Sequence, residues 1–169
     1  MSNFEIGENC GEKEDVLKLF GIDPANIMPP IYHIPEKICS SFGMPANTAL
    51  SFFHFPVHIK STGTSKSEEI RYNDLLDENG DCIERNMRNR LNEIKHIRMR
   101  VIPSDAREDR YASFENHTRL VFGVFNDDAT SRIYVGKFGI ANYKDGKPVE
   151  SDEKHLAGYW EWIFPKLND

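Results

Sequence analysis

The sequence predicts an α+β protein, built on a mainly antiparallel sheet with one amphipathic helix and short N-terminal helices. Three observations carry that prediction: an apolar stripe of helical period over 82–95, several runs of strand-like alternation after it, and short glycine-terminated apolar segments before residue 47. A length of 169 residues with 39% hydrophobic and 11% aromatic content supplies material for one real core. We find no repeat, low-complexity stretch or linker, so the chain reads as one domain over 1–169, mainly helical over 1–47 and sheet plus helix over 48–169.

In order along the chain, residues 12–20 bring Val16, Leu17, Leu19 and Phe20 ahead of Gly21 and Ile22. That order fits a short helix closed by a left-handed glycine. A second helix is expected from Pro35 to Gly43, with Ile38 and Phe42 inward. Residues 49–60 are rich in aromatic and β-branched side chains and read as a strand, which Pro56 confines to an edge or a bulge. Asn79-Gly80 supplies a turn. Ile83, Met87, Leu91 and Ile94 then share one stripe of a helix over 82–95. From residue 96 the period falls to two, and strands are expected over 96–102, 118–125, 131–138 and 159–164, with a hairpin loop over 126–130 and a turn at 144–147.

Charge is segregated along the chain. The net charge is −6, yet eight of the ten arginines lie between Arg85 and Arg119. With Lys95 they make nine basic residues against six acidic ones over 84–119, so a locally positive segment sits inside acidic flanks. An acidic whole argues against indiscriminate coating of nucleic acid or anionic lipid, while leaving room for a local phosphate site.

Alternation then assigns faces. Ile97, Met99 and Val101 are expected inward and His96, Arg98 and Arg100 outward; Leu120, Phe122 and Val124 inward and His117 and Arg119 outward; Ile133 and Val135 inward and Arg132 and Tyr134 outward. If these three strands are neighbours in a meander, one face gathers all seven outward residues. Arg98, Arg100, Arg119 and Arg132 would hold phosphate through their donor forks, and Tyr134 would stack on a base. His96 and His117 would perform general acid–base cleavage of RNA, whose 2′-hydroxyl is a built-in nucleophile. The partner expected on this reading is RNA or a nucleotide. Against it stands the plain alternative that arginines on a wetted sheet face pair with local carboxylates.

The order of helix, strand and hairpin from residue 82 to Tyr143, carrying Arg98, Arg100 and Arg119, is similar to that of RelE-type ribonuclease toxins, and the resemblance implies a ribonuclease. Gly123-Val124-Phe125 and Tyr134-Val135-Gly136 look like the paired motifs of GIY-YIG nucleases. Phe125 stands where that family has a tyrosine and no arginine follows Arg132, so that likeness is not adopted.

A second function class is a non-catalytic interaction module, such as an inhibitor or assembly factor, using acidic surface and Trp160 and Trp162 as anchors. No cofactor is expected, because phosphate-loop, dinucleotide and nucleophile-elbow patterns are absent. No metal site is expected either: His54 and His58 flank Pro56 in an extended run, about 13 Å apart and too far for one ion. Cys10, Cys39 and Cys82 form neither a disulfide framework nor a zinc set. With no signal-like or membrane-spanning segment read in the sequence, the expected compartment is the cytoplasm.

Overall fold

The computed structural model describes residues 4–23, 32–55, 57–58, 71–83, 87–101, 116–126, 128–148 and 158–168. Strands dominate: β1 (Tyr32–His33), β2 (Ala49–Phe55), β3 (Val57–His58), β4 (Arg71–Leu76), β5 (His96–Val101), β6 (Arg119–Phe125), β7 (Ile133–Phe138), β8 (Asn142–Pro148) and β9 (Gly158–Pro165). Two short helices, α1 (Lys13–Leu19) and α2 (Glu36–Ser41), precede most of them. The α+β class is therefore right, with two sheets where the sequence implied one.

The first sheet has the order β1-β2-β6-β7 and the second β3-β4-β5-β9-β8. Every pairing is antiparallel except that of β2 with β6, which run parallel through seven register pairs from Ala49↔Arg119 to Phe55↔Phe125. The predicted run over 49–60 breaks between Phe55 and Val57, so that β2 lies inside the first sheet and β3 at the edge of the second. At the far side the chain crosses back: Lys166 follows β9 and bridges Phe138 of β7, and the Gly139 amide donates to the Pro165 carbonyl at 2.7 Å.

Two cores follow from this layering. Between the sheets lie Phe53, Phe55, Leu75, Ile97, Val121, Val135, Trp162 and Phe164, joined by Ile83, Leu91 and Ile94. On the opposite side of the first sheet, Val16, Leu17 and Phe20 of the α1 region and Cys39 and Phe42 of the α2 region cover Leu50, Leu120, Phe122 and Tyr134. The first sheet is thus buried on both faces. Its strands β6 and β7 accordingly read as near-continuous apolar runs, as strands covered on both sides do.

Both helices end as their sequences dictate. The Ile22 amide donates back to the Leu17 carbonyl and the Gly21 amide to Lys18, with Gly21 at φ 66°. At its start α1 carries a capping box between Glu12 and Asp15. The helix predicted over 82–95 is corrected. Cys82 bridges Leu76 as extended chain, and among the described residues of this stretch Met87–Glu93 is helical, as a 3-10 helix with Arg90 off helical geometry. The apolar stripe still points inward, since Ile83, Leu91 and Ile94 are all buried. The turn expected at 144–147 lies instead within β8, as a register shift between Lys144 and Lys147.

One glycine is required by geometry. Val135 is the extra residue where β6 and β7 slip register, and Gly136 beside it has φ 135°. A Cβ there would sit 3.3 Å from both Ile6 Cδ1 and Lys166 Cε. Those neighbours belong to segments that close on β7: residues 7–11 exchange amide–carbonyl bonds with Arg132 and Tyr134, and the Leu167 amide donates to the Lys137 carbonyl.

Candidate functional site: the basic strands and the histidine pair

The meander that would have gathered the arginines and histidines does not form. β5 lies in the second sheet between β4 and β9, whereas β6 and β7 lie in the first. The described members of the set consequently divide among different surroundings.

His96 and Arg98 lie on the face of the second sheet opposite Ile97 and Met99, as alternation requires. Arg98 is committed there: its Nη2 donates to Asp74 Oδ2 at 2.8 Å across the β4–β5 register pair. Cys82 Sγ lies 3.6 Å from the other carboxylate oxygen of Asp74. Arg100 is in register with Tyr72 and Glu161; its side chain is outside the described residues.

Arg119 is inside the molecule rather than on an open face. Only 3% of it is exposed, its Nη1 donates to Ser51 Oγ at 2.6 Å, and its guanidinium carbon stands 5.5 Å from the centre of the Phe164 ring. Burial lowers its pKa to about 10, because a low-dielectric setting disfavours the charged form.

Arg132 and Tyr134 turn toward the helical layer. Arg132 is buried, donates to the Ala129 carbonyl at 2.8 Å and lies over the Phe52 ring. Tyr134 has no exposed surface, and its ring packs against Phe4 and Phe122 with centres 5.4 and 5.3 Å away. It therefore cannot stack on a base without leaving the core. Trp162 is likewise a core residue, which removes it as a surface anchor; the Trp160 side chain is outside the described residues.

The chain matches no protein-family model, no curated protein and no solved structure. What it can do must be read from its own geometry.

One juxtaposition was not visible in the sequence. His33 of β1 and His117, just ahead of β6, bring their rings to a centroid separation of 5.2 Å at 58°. Each belongs to a segment flanking β2, and the register explains the meeting: His33 and Arg119 both pair with Ala49, and His117 precedes Arg119 by two residues on the same side. The 116–118 stretch is fixed against 47–49 by the Asn47 amide on the Asn116 carbonyl at 2.8 Å, the Thr48 and Thr118 hydroxyls at 2.6 Å, and the Ala49 amide on the Thr118 carbonyl at 2.8 Å. No local spacing could have linked two histidines joined only through a third strand.

The described surface has a different character at the N-terminal segment and α1. Glu5, Glu8, Glu12, Glu14, Asp15 and Asp23 are all exposed, with Lys18 exposed and Lys13 drawn onto the Tyr32 ring. Leu19, on the outer side of α1, is 57% exposed, the highest value among the large hydrophobic residues described. No helix among the described residues is long and apolar enough to cross a membrane, and the three cysteines are free.

Proposed function

We propose that the protein is a non-catalytic interaction module of the cytoplasm, docking through its acidic N-terminal face onto a basic surface of another protein. The observation that carries this reading is Leu19, an apolar side chain held outward on a helix whose inward neighbours Val16, Leu17 and Phe20 are buried, among six exposed carboxylates. A central apolar contact inside a charged rim is the usual anatomy of a protein interface, and the rim supplies steering and partner choice. Arginines that would have favoured a phosphate partner are engaged elsewhere: Arg98 with Asp74, Arg119 between the sheets, Arg132 under the helical layer.

The rival reading, binding of RNA or a nucleotide with cleavage by His96 and His117, is supported by the segregation of charge along the chain rather than by a shared face.

Affinity capture from the source cells with the wild type and with a Glu14→Lys/Leu19→Ala variant distinguishes the two. Both positions are exposed, so the fold tolerates the changes. A basic protein recovered by the wild type, released by salt and lost with the variant supports docking. Salt-dependent filter binding of RNA, unaffected by the variant, overturns it in favour of the phosphate reading.

A further inference from the structure

We propose that His33 and His117 form a two-imidazole site for a divalent transition-metal ion of the zinc, nickel or copper type. The proposal is independent of the acidic face. Two imidazoles sharing a tetrahedral ion have metal–nitrogen distances of about 2.0–2.1 Å, and with about 1.2 Å more from nitrogen to ring centre their centroids stand about 5.2 Å apart. The observed separation is 5.2 Å, with the rings tilted at 58° rather than stacked flat. The two ligands come from opposite flanks of β2, and the hydrogen bonds of Asn47, Thr48 and Ala49 to the 116–118 stretch hold one of them in place. That matters, because ligands carried on a backbone already paired to β2 spend less ordering entropy on the ion than ligands on unpaired chain would.

The chemistry of the pair selects the ion. Imidazole nitrogen suits zinc, copper and nickel, while calcium and magnesium require oxygen ligands. Among the described residues no cluster of three or more histidine, cysteine or carboxylate groups surrounds the pair. Two protein ligands leave the remaining coordination positions to water, so the ion is exchangeable and binding follows the order copper above nickel and zinc. Bound metal would tie β1 to β6 across β2, clamping the edge of the first sheet.

The test uses the full chain, freed of metal with a chelator and titrated separately with zinc, nickel and copper chlorides. Histidine ring resonances are followed by NMR and the melting temperature by calorimetry. The expected result is selective perturbation of His33 and His117, a rise in melting temperature reversed by chelator, and affinity for copper above that for zinc. His33→Ala, at an exposed position, should melt as the wild type does without metal and bind at least about tenfold more weakly. Retention of full affinity by His33→Ala, or metal-induced shifts confined to other histidines such as His54 and His96, overturns the proposal. His117→Gln, which keeps the volume and a polar end, guards against loss by misfolding: a folded variant with wild-type affinity overturns it as well.

Discussion

The guanidinium of Arg119 lies 5.5 Å from the centre of the Phe164 ring, so a cation carried by one sheet rests on an aromatic carried by the other. Its Nη1 is spent on Ser51 of the neighbouring strand. An arginine placed this way holds the sheets together. Arg119→Ala removes that packing and leaves the Ser51 hydroxyl without the donor, so an expected loss is about 2–4 kcal/mol in urea unfolding. Arg119→Lys keeps the charge but lacks the planar stack, and should fall between wild type and alanine. Equal stability of all three would contradict the assigned role.

The Asp74–Arg98 pair predicts an asymmetry. The side chain of Asp74 is almost fully buried whereas that of Arg98 keeps 18% exposure. Arg98→Ala strands a buried carboxylate and should cost about 3 kcal/mol; Asp74→Ala leaves an arginine that reaches water, and should cost less. Denaturation of both single variants and the double variant measures the coupling. A smaller loss for Arg98→Ala than for Asp74→Ala would refute the argument.

Lys137 crosses from β7 to the end of α2, where its Nζ donates to the Phe42 carbonyl at 2.5 Å. A cation at a helix C-terminus satisfies a carbonyl that the helix cannot and complements its dipole. Lys137→Met should cost about 1–3 kcal/mol and speed hydrogen exchange at Phe42, Gly43 and Met44, the amides that close α2. Unchanged protection of those three amides would show that the bond contributes nothing to the cap.

Burial first, then the neighbouring Glu8 carboxylate, pushes the Cys10 thiol up from 9.0 to about 11. A folded-state value above the unfolded one means that the stability linked to this thiol is fully present below pH 9 and is lost as pH climbs from 9 to 11. Iodoacetamide labelling of Cys10, followed by peptide mass spectrometry, should therefore reach half its maximal rate near pH 11. A midpoint at the ordinary thiol value would rule the environment out. The difference in urea midpoint between wild type and Cys10→Ser should move against the wild type over the same interval.

Local signals proved readable where only near neighbours decide the outcome. The Gly21 helix stop, the apolar face of β5 and the stripe of Ile83, Leu91 and Ile94 all depend on residues within a turn or two. The 3-10 geometry at Met87–Glu93 departs from the predicted α-helix, yet Ile83, Leu91 and Ile94 are buried, because apolar side chains are drawn to the core whichever backbone form carries them. The candidate site was misplaced for a physical reason. Alternation tells which residues share a side of a strand, but not that a second layer covers the supposedly wet side. In β6 the warning was present: Leu120, Val121 and Phe122 are consecutive and apolar, the mark of a strand covered on both faces. The β2–β6 parallel pairing left no local trace, so neither the separation of β5 from β6 nor the His33–His117 meeting was legible.

That same parallel pairing has a kinetic consequence. Arg119 meets Ser51 over a separation of 68 positions, Lys137 meets Phe42 over 95, and Asn9 meets Ser131 over 122. Loop closure on this scale must precede any reward from the contacts, which places the protein among slow-folding, high-contact-order topologies. Val16, Leu17 and Phe20 have no β6 to cover them when they are first synthesised. Until that strand emerges they are exposed apolar surface, and a chaperone or low concentration during refolding is what would keep them from aggregating.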